Sequence, residues 1–194
     1  MTESDDTCRW SAERRAVLGA GVALVPFLAG MARADEAGPA SLPPQPGDRF
    51  AFLTGDKKGQ IVKTEDIPLG GPQIQVYPID PKSGVVRDGS RLNLVLLARF
   101  EPAVFDDATR ARSADGVVAY SAVCTHQGCA VNMWASEAGL LFCSCHGSIY
   151  DPRHGAEVIG GPAPRALPSL ALKVADGAPV VAEGFNGSIG PSKH

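Results

Sequence analysis

Four cysteines and two histidines lie in two short boxes, Cys124-Thr125-His126-Gln127-Gly128-Cys129 and Cys143-Ser144-Cys145-His146-Gly147-Ser148. The first has the form Cys-x-His and the second Cys-x-x-His, each with one further cysteine, and sixteen residues separate His126 from Cys143. Two chemistries use two thiolates and two imidazoles. A tetrahedral zinc site places all four donors on one ion. A [2Fe–2S] cluster can take the thiolates on one iron and the imidazoles on the other. Imidazole is neutral where thiolate is anionic, so the second arrangement accepts an electron more readily. The potential moves from about −400 mV to between about −150 and +300 mV. Zinc leaves the two extra cysteines, and the residues just after the second box, without a use.

This pattern of boxes and spacer resembles the Rieske iron–sulfur family. The resemblance implies a [2Fe–2S] cofactor, with Cys124 and Cys143 on one iron and His126 and His146 on the other. In the family's high-potential branch the extra cysteines form a disulfide that clamps the two cluster loops. Carried over, this would join Cys129 to Cys145 and imply an oxidising compartment. Ser148 and Tyr150, in Gly147-Ser148-Ile149-Tyr150-Asp151, match hydroxyls that donate to a bridging sulfide and to a ligand sulfur. Such a donor favours the more negative, reduced cluster and raises the potential. A hydrogen bond to a charged group is worth about 1.5–3 kcal/mol, and about 1.4 kcal/mol is about 59 mV for one electron. Each hydroxyl would then add tens of millivolts, up to about 130 mV. Gly160-Gly161-Pro162-Ala163-Pro164 resembles the family's proline loop, so Gly161, Pro162 and Pro164 are expected to cover the cluster. Proline fixes φ and leaves no N–H donor unpaired there; alone, the stretch would read as a surface turn.

The elements that must carry these boxes read as strands. Gly116–Val123 leads into the first box and Gly139–Phe142 into the second. Ser169–Val174 and Ala178–Glu183, split by Asp176-Gly177, predict a closing hairpin. Arg91–Ala98 reads as a buried strand, Gln73–Tyr77 as an early strand, and Asp106–Ala114 as a brief helix. The predicted fold is all-β. It matches the Rieske fold, a layered antiparallel β sandwich with a small cluster-binding subdomain, preceded by a signal or anchor helix. The resemblance is strong from about 116 to 170. Trp134 and Met133 are read as core packing rather than as a docking pair. His154 is read as a surface histidine rather than a proton relay, and His194 as tail.

Arg14-Arg15 precedes a 17-residue uncharged run, Ala16–Ala32, closed by Arg33 inside Ala32-Arg33-Ala34. This resembles a twin-arginine export signal with an A-x-A cleavage site. Glu13 and Val17-Leu18-Gly19 depart from the usual surroundings of the arginine pair. The run is short of the ~20 residues of a membrane span, but length alone does not separate a cleaved signal from a retained anchor; cleavage after Ala34 is the expectation, with a retained inner-membrane anchor as the alternative. The expected organisation is 1–34 signal or anchor, 35–48 proline-rich linker, and 49–188 Rieske domain, its cluster-binding part at about 120–165. In the anchored reading the linker is the tether on which the head moves. Cys8 would leave with the signal. Net charge is −3 with charges spread along the chain, so nothing points to nucleic acid.

By resemblance, the function is periplasmic one-electron transfer as a carrier or as the small subunit of a redox complex. The chain would be an electron-transfer subunit rather than a stand-alone enzyme, with no catalytic residues of its own. The alternative is the membrane-anchored iron–sulfur subunit of a quinol:cytochrome c oxidoreductase. Expected partners are cytochrome c, cytochrome b or the large subunit of a molybdenum oxidase, with quinol as the small donor. Asp66-Ile67-Pro68, Val76-Tyr77-Pro78 and Gly184-Phe185-Asn186-Gly187 lean towards the molybdenum-oxidase partner, and no arginine-rich strand precedes the first box. An oxygenase ferredoxin would lack the extra cysteines and an export signal. A complete oxygenase needs two more histidines and a carboxylate in a second domain, and only His154 and His194 remain.

Overall fold

The computed structural model describes residues 38–192. The arginine pair, the uncharged run, Cys8 and His194 lie outside the described residues. Among these residues ten strands form two antiparallel sheets. The larger is built from β1 (Arg49–Phe52), β2 (Ile74–Ile79), β3 (Val95–Arg99), β4 (Val117–Ser121), β9 (Ser169–Ala175) and β10 (Ala178–Glu183), in that order across the sheet. Gly47 N–H donates to Val181 O (2.8 Å) and Val181 N–H to Asp48 O (2.9 Å), so the approach to β1 meets β10 and the sheet curls nearly closed. The smaller sheet runs β5 (Met133–Ala135), β6 (Leu140–Cys143), β7 (Ser148–Asp151), β8 (Glu157–Gly160). The one α-helix among the described residues, α1 (Asp107–Arg112), follows Asp106, whose carboxylate caps it by accepting from Thr109 N–H at 2.6 Å. The chain is all-β in class.

Strand alternation divides the core in two. Successive side chains of a strand point to opposite faces. On β3 and β4, Val95, Leu97, Val117 and Ala119 point into one core with Phe50, Ile67, Val76, Leu170 and Val181. Leu96, Ala98, Val118 and Tyr120 point into the other, which they share with Leu141, Cys143, Tyr150 and Cys124. Both faces of β4 are therefore covered and all five residues are buried. That explains why its sequence reads as an unbroken apolar run. The second core lies between the two sheets, and both cysteine boxes open at its edge.

The predicted hairpin Ser169–Val174/Ala178–Glu183 is β9–β10, turning through Asp176 and Gly177 with positive φ at both (52° and 69°). One expected strand is shorter than predicted. Arg91–Asn93 is a 3-10 turn, and the strand starts at Val95. Ser90 Oγ caps the turn by accepting from Leu92 N–H, and Asn93 donates to Leu42 O (2.8 Å) and Arg87 O (3.0 Å), which turns the backbone out of the sheet.

The proline-rich stretch is not free where it is described. Gly89 N–H donates to Ala40 O (3.0 Å), Asn93 to Leu42 O, and Arg87 Nη1 to Pro39 O (3.3 Å). Beneath them Arg87 and Asp48, both buried, form a two-pronged ion pair with Nη2–Oδ1 at 2.9 Å. Residues 38–48 therefore lie fixed on the body, because Arg87, Gly89 and Asn93 donate to the carbonyls of Pro39, Ala40 and Leu42.

Candidate metal centre

Both boxes build the same loop. Gly128 N–H donates to Cys124 O (2.9 Å) and Gly147 N–H to Cys143 O (3.0 Å). Each of those glycines closes its turn with a positive φ, 75° and 77°, a backbone region that side chains disfavour. The first loop is pinned again where Cys124 N–H donates to Cys129 O at 2.8 Å. Cys129 and Cys145 are joined by a disulfide, Cα–Cα 6.5 Å, so the two loops are covalently tied. The pairing of the two extra cysteines is as expected. Cys145 is exposed and Cys129 half-buried.

The second box sits on the β6–β7 hairpin, where Cys143 faces Ser148 and Leu141 faces Tyr150 across the ladder. Residues two apart share a face. Cys143, Ser148 and Tyr150 therefore all turn inward and are all buried. Cys124 comes from the loop after β4 and is buried beside them as a free thiol, like Cys143. Burial raises the Cys124 thiol, but the Tyr150 hydroxyl, the His126 N–H and the neighbouring thiol more than offset it, and its pKa falls below the ordinary range. Burial, and then the neighbouring Cys124, pushes Cys143 up. The two imidazoles form a second pair, ring centroids 4.7 Å apart and nearly perpendicular at 87°. His146 is exposed and His126 half-buried.

Tyr150 is oriented by Thr125, a residue that no sequence pattern singles out. The Thr125 hydroxyl donates to Arg165 O at 2.6 Å, and Thr125 N–H donates to the Tyr150 oxygen at 3.4 Å. With the threonine proton so committed, the phenol proton has two acceptors in reach, Cys124 Sγ at 3.1 Å and Thr125 Oγ1 at 3.4 Å, and the sulfur is the nearer. Burial, followed by that sulfur, raises the Tyr150 pKa to about 12, so the phenol remains a donor. Thr125 is fully buried. Its bond to Arg165 also fastens the Gly160–Pro164 loop to the first box. That loop lies on the second box: a Cβ on Gly161 would stand 2.4 Å from Gly147 O and 2.6 Å from Ser148 Cα. Pro162 and Pro164 are exposed while Ala163 between them is buried. The three loops thus converge.

Trp134 packs over Gly71 and against the Phe100 ring, centroids 6.1 Å apart. Met133 is 48% exposed, so of this pair only the tryptophan joins the core. His154 lies at the surface with Nδ1 3.0 Å from Asp151 Oδ2.

Two buried atoms test whether a cluster fits. Ser148 Oγ and His126 Nδ1 are buried with no hydrogen-bond partner; the serine hydroxyl lies near Cys124 but without normal bond geometry. An orphaned buried polar atom costs about 1–3 kcal/mol. A hydroxyl facing a sulfide and an imidazole nitrogen facing an iron would both be satisfied. The donor chemistry, a thiol pair and an imidazole pair, fits a [2Fe–2S] cluster. Among the described residues no group of three or more His, Cys, Asp or Glu side chains is gathered tightly enough to hold a single metal ion.

A family model described as Rieske [2Fe-2S] domain matches residues 58–171. A Haloferax mediterranei protein assigned as a respiratory nitrate reductase Rieske subunit is 39% identical over 123 residues, covering 62% of this chain and 52% of that protein. The cytochrome bc1 complex Rieske iron–sulfur subunit of Streptomyces lividans is 38% identical over 100 residues, covering 50% of this chain and 59% of that one. The chain thus spans about half the length of these curated relatives. Among solved structures, the soluble domain of Rieske protein II from Sulfolobus acidocaldarius is similar at 22% identity and TM-score 0.40, covering 51% of this chain and 65% of that one.

Proposed function

The chain belongs to the Rieske [2Fe–2S] domain family, and we propose that it passes single electrons through a cluster held by Cys124, Cys143, His126 and His146. The bound cluster supplies one-electron exchange at a fixed point. The chain's own residues do the rest. Cys124 and Cys143 would hold the buried iron at the edge of the inter-sheet core. His126 and His146 would hold the outer iron, with His146, the exposed member of the pair, meeting the partner or a quinol. Tyr150 donates towards Cys124 Sγ, and Ser148 offers its unpaired hydroxyl. Gly161, Pro162 and Pro164 would cover the cluster with a loop whose prolines have no N–H to leave unpaired.

The single observation that carries this reading is the Tyr150 hydroxyl 3.1 Å from Cys124 Sγ. A structural zinc site has no need of a redox-tuning donor, whereas a cluster potential is set by such bonds. Together with the Cys129–Cys145 disulfide it supports the high-potential type. The disulfide also supports an oxidising compartment and so export to the periplasm, with the arginine pair as the signal. No helix among the described residues is long and apolar enough to cross a membrane. The two relatives, a respiratory nitrate reductase Rieske subunit and a cytochrome bc1 complex Rieske subunit, support service inside a redox complex. We favour the periplasmic small subunit of such a complex. The anchored bc-type subunit is the second reading, supported by the Streptomyces relative.

The test is an EPR-monitored redox titration of the cluster-loaded full chain from pH 6 to 9. The expected result is a Rieske-type reduced signal with a positive midpoint that falls at alkaline pH. A negative, pH-independent midpoint would assign the chain to the oxygenase-ferredoxin class, and a protein with bound zinc and no reducible centre would end the proposal.

A further inference from the structure

The segment after β10 returns to the first donor loop. Ser169 N–H donates to Asn186 Oδ1 (2.8 Å) and Asn186 N–H to Ser169 O (3.1 Å), which anchors the return at the sheet. Arg112 Nη2 adds a bond to Gly184 O at 3.3 Å. From there the chain runs to the first box. A Cβ placed on Gly190 would stand 3.3 Å from Val123 Cγ1, and one on Gly128 would stand 3.3 Å from Pro191 Cδ and 3.0 Å from Arg91 Nη2. Pro191 therefore sits against the glycine that closes the Cys124–Cys129 turn.

Two arginines complete the contact. Arg91 Nη1 donates to Gly128 O at 2.7 Å. Arg165 Nη2 donates to Gly190 O, while the Arg165 carbonyl accepts from Thr125 Oγ1 at 2.6 Å. One residue of the covering loop thus holds the first box by its backbone and the C-terminal segment by its side chain. Counted along the first loop, Cys124, Thr125, Gly128 and Cys129 are each held, and only His126 and Gln127 are left at the tip. Those two share a shallow depression of about 530 Å³ with Pro191 and Ser192. The second loop has no comparable contact from this segment; its cover is Gly161, and His146 stands open.

We propose that residues 184–192 form a clamp on the first donor loop, with Arg165 and Arg91 as positioning residues, and that the presentation of His126 depends on this clamp as well as on the disulfide. The effect on the cluster rests on the proposed ligand assignment; the effect on the loop does not.

The test uses the cluster-loaded full chain, a version truncated after Gly187, and the variants Arg165→Ala and Arg165→Lys. Amide hydrogen exchange is followed in peptides covering 124–130 and 143–148, and the g-values of the reduced EPR signal are recorded alongside. Loss of a hydrogen bond at a charged donor predicts about tenfold faster exchange in 124–130 or more, with 143–148 and β3–β4 unchanged. The g-values should shift at full iron content, and Arg165→Lys should recover part of the protection. Unchanged exchange and g-values with iron retained would make the segment a passive tail and overturn the proposal. So would equal loss of protection across β3 and β4, which is a general loss of stability. If truncation unfolds the chain, Arg165→Ala alone decides. Should Cys124→Ser keep a full cluster, the ligand assignment fails, and the exchange result still judges the clamp.

Discussion

In the six-stranded sheet every residue of β4 is buried, and both its faces meet apolar side chains. In the four-stranded sheet β5 has one exposed and two half-buried residues, and β8 alternates exposed with half-buried. The larger sheet stands on apolar burial, worth about 1.5–3 kcal/mol for each fully buried aliphatic side chain. The smaller sheet has little such area of its own. It borrows the inter-sheet core through Leu141, Cys143 and Tyr150, and is otherwise closed by links at its loops: the Cys129–Cys145 disulfide, the Thr125 bonds and, in our proposal, the cluster. A frame held by burial tolerates a site that is polar and open at its tip. The site should then come apart without unfolding the frame.

The largest expected effects would separate these two regions. Cys143→Ser should abolish the cluster, with iron content and reduced EPR signal falling to background, while far-UV circular dichroism still reports the β-rich frame. Leu97→Ala, at a fully buried position on β3, should do the opposite. It should lower unfolding free energy by about 2–5 kcal/mol and leave the cluster intact in the folded fraction. If Cys143→Ser lowers chain stability as much as Leu97→Ala does, the frame and the site are one cooperative unit and the contrast is false.

Next in size is the disulfide. Cys129→Ser opens a link between residues 16 apart in sequence. A loop of that length is worth about 3 kcal/mol of closure entropy. The link joins the two donor loops, so its loss should fall on the small sheet. Cluster half-life should shorten and the midpoint drop, with much less change in exchange protection on β3, β4 and β9. A variant with native cluster lifetime would show that the covering loop and the Thr125 bonds suffice.

The same division decides what could be read before the structure. β4 and β9–β10 were legible because an unbroken apolar run and an Asp-Gly turn carry their own signals. α1 was legible because Asp106 caps it. β1, with four residues, and β8, whose Glu157–Gly160 shows no apolar alternation, had no such signal; β8 owes its strand to its partner rather than to its own side chains. The Arg91–Ala98 expectation failed at its start because Ser90 and Asn93 redirect the backbone through contacts with residues as distant as Leu42. In the site, the donors, Ser148, Tyr150 and Gly161 sit in local patterns and could be named. Thr125 lay in plain view inside the first box, but its role exists only once Tyr150 and Arg165 are brought to it from 25 and 40 residues away. Arg91 and Pro191 are of the same kind, as is the docking of residues 38–48 by Arg87 and Asp48.

The smallest expected effect sharpens the comparison inside the site, between two hydroxyls on one strand. Tyr150 and Ser148 share the inward face of β7, but only the Tyr150 hydroxyl stands within hydrogen-bond distance of a sulfur, 3.1 Å from Cys124 Sγ, with Thr125 N–H on its oxygen. Tyr150→Phe keeps the ring in the inter-sheet core and removes the donor. The reduced cluster then loses more than the oxidised one, so the midpoint should fall by tens of millivolts, to at most about 130 mV. Ser148→Ala should lower it too if the orphaned hydroxyl faces the cluster, and iron content should stay full in both. Thr125→Val separates direct from indirect tuning. It removes the hydroxyl that fixes Arg165 O but leaves the Thr125 backbone N–H on the phenol oxygen, so its midpoint should fall less than that of Tyr150→Phe. Equal falls in all three would mean that the potential follows loop order rather than a bond to sulfur, and an unchanged midpoint in Tyr150→Phe would remove the observation on which the redox reading rests.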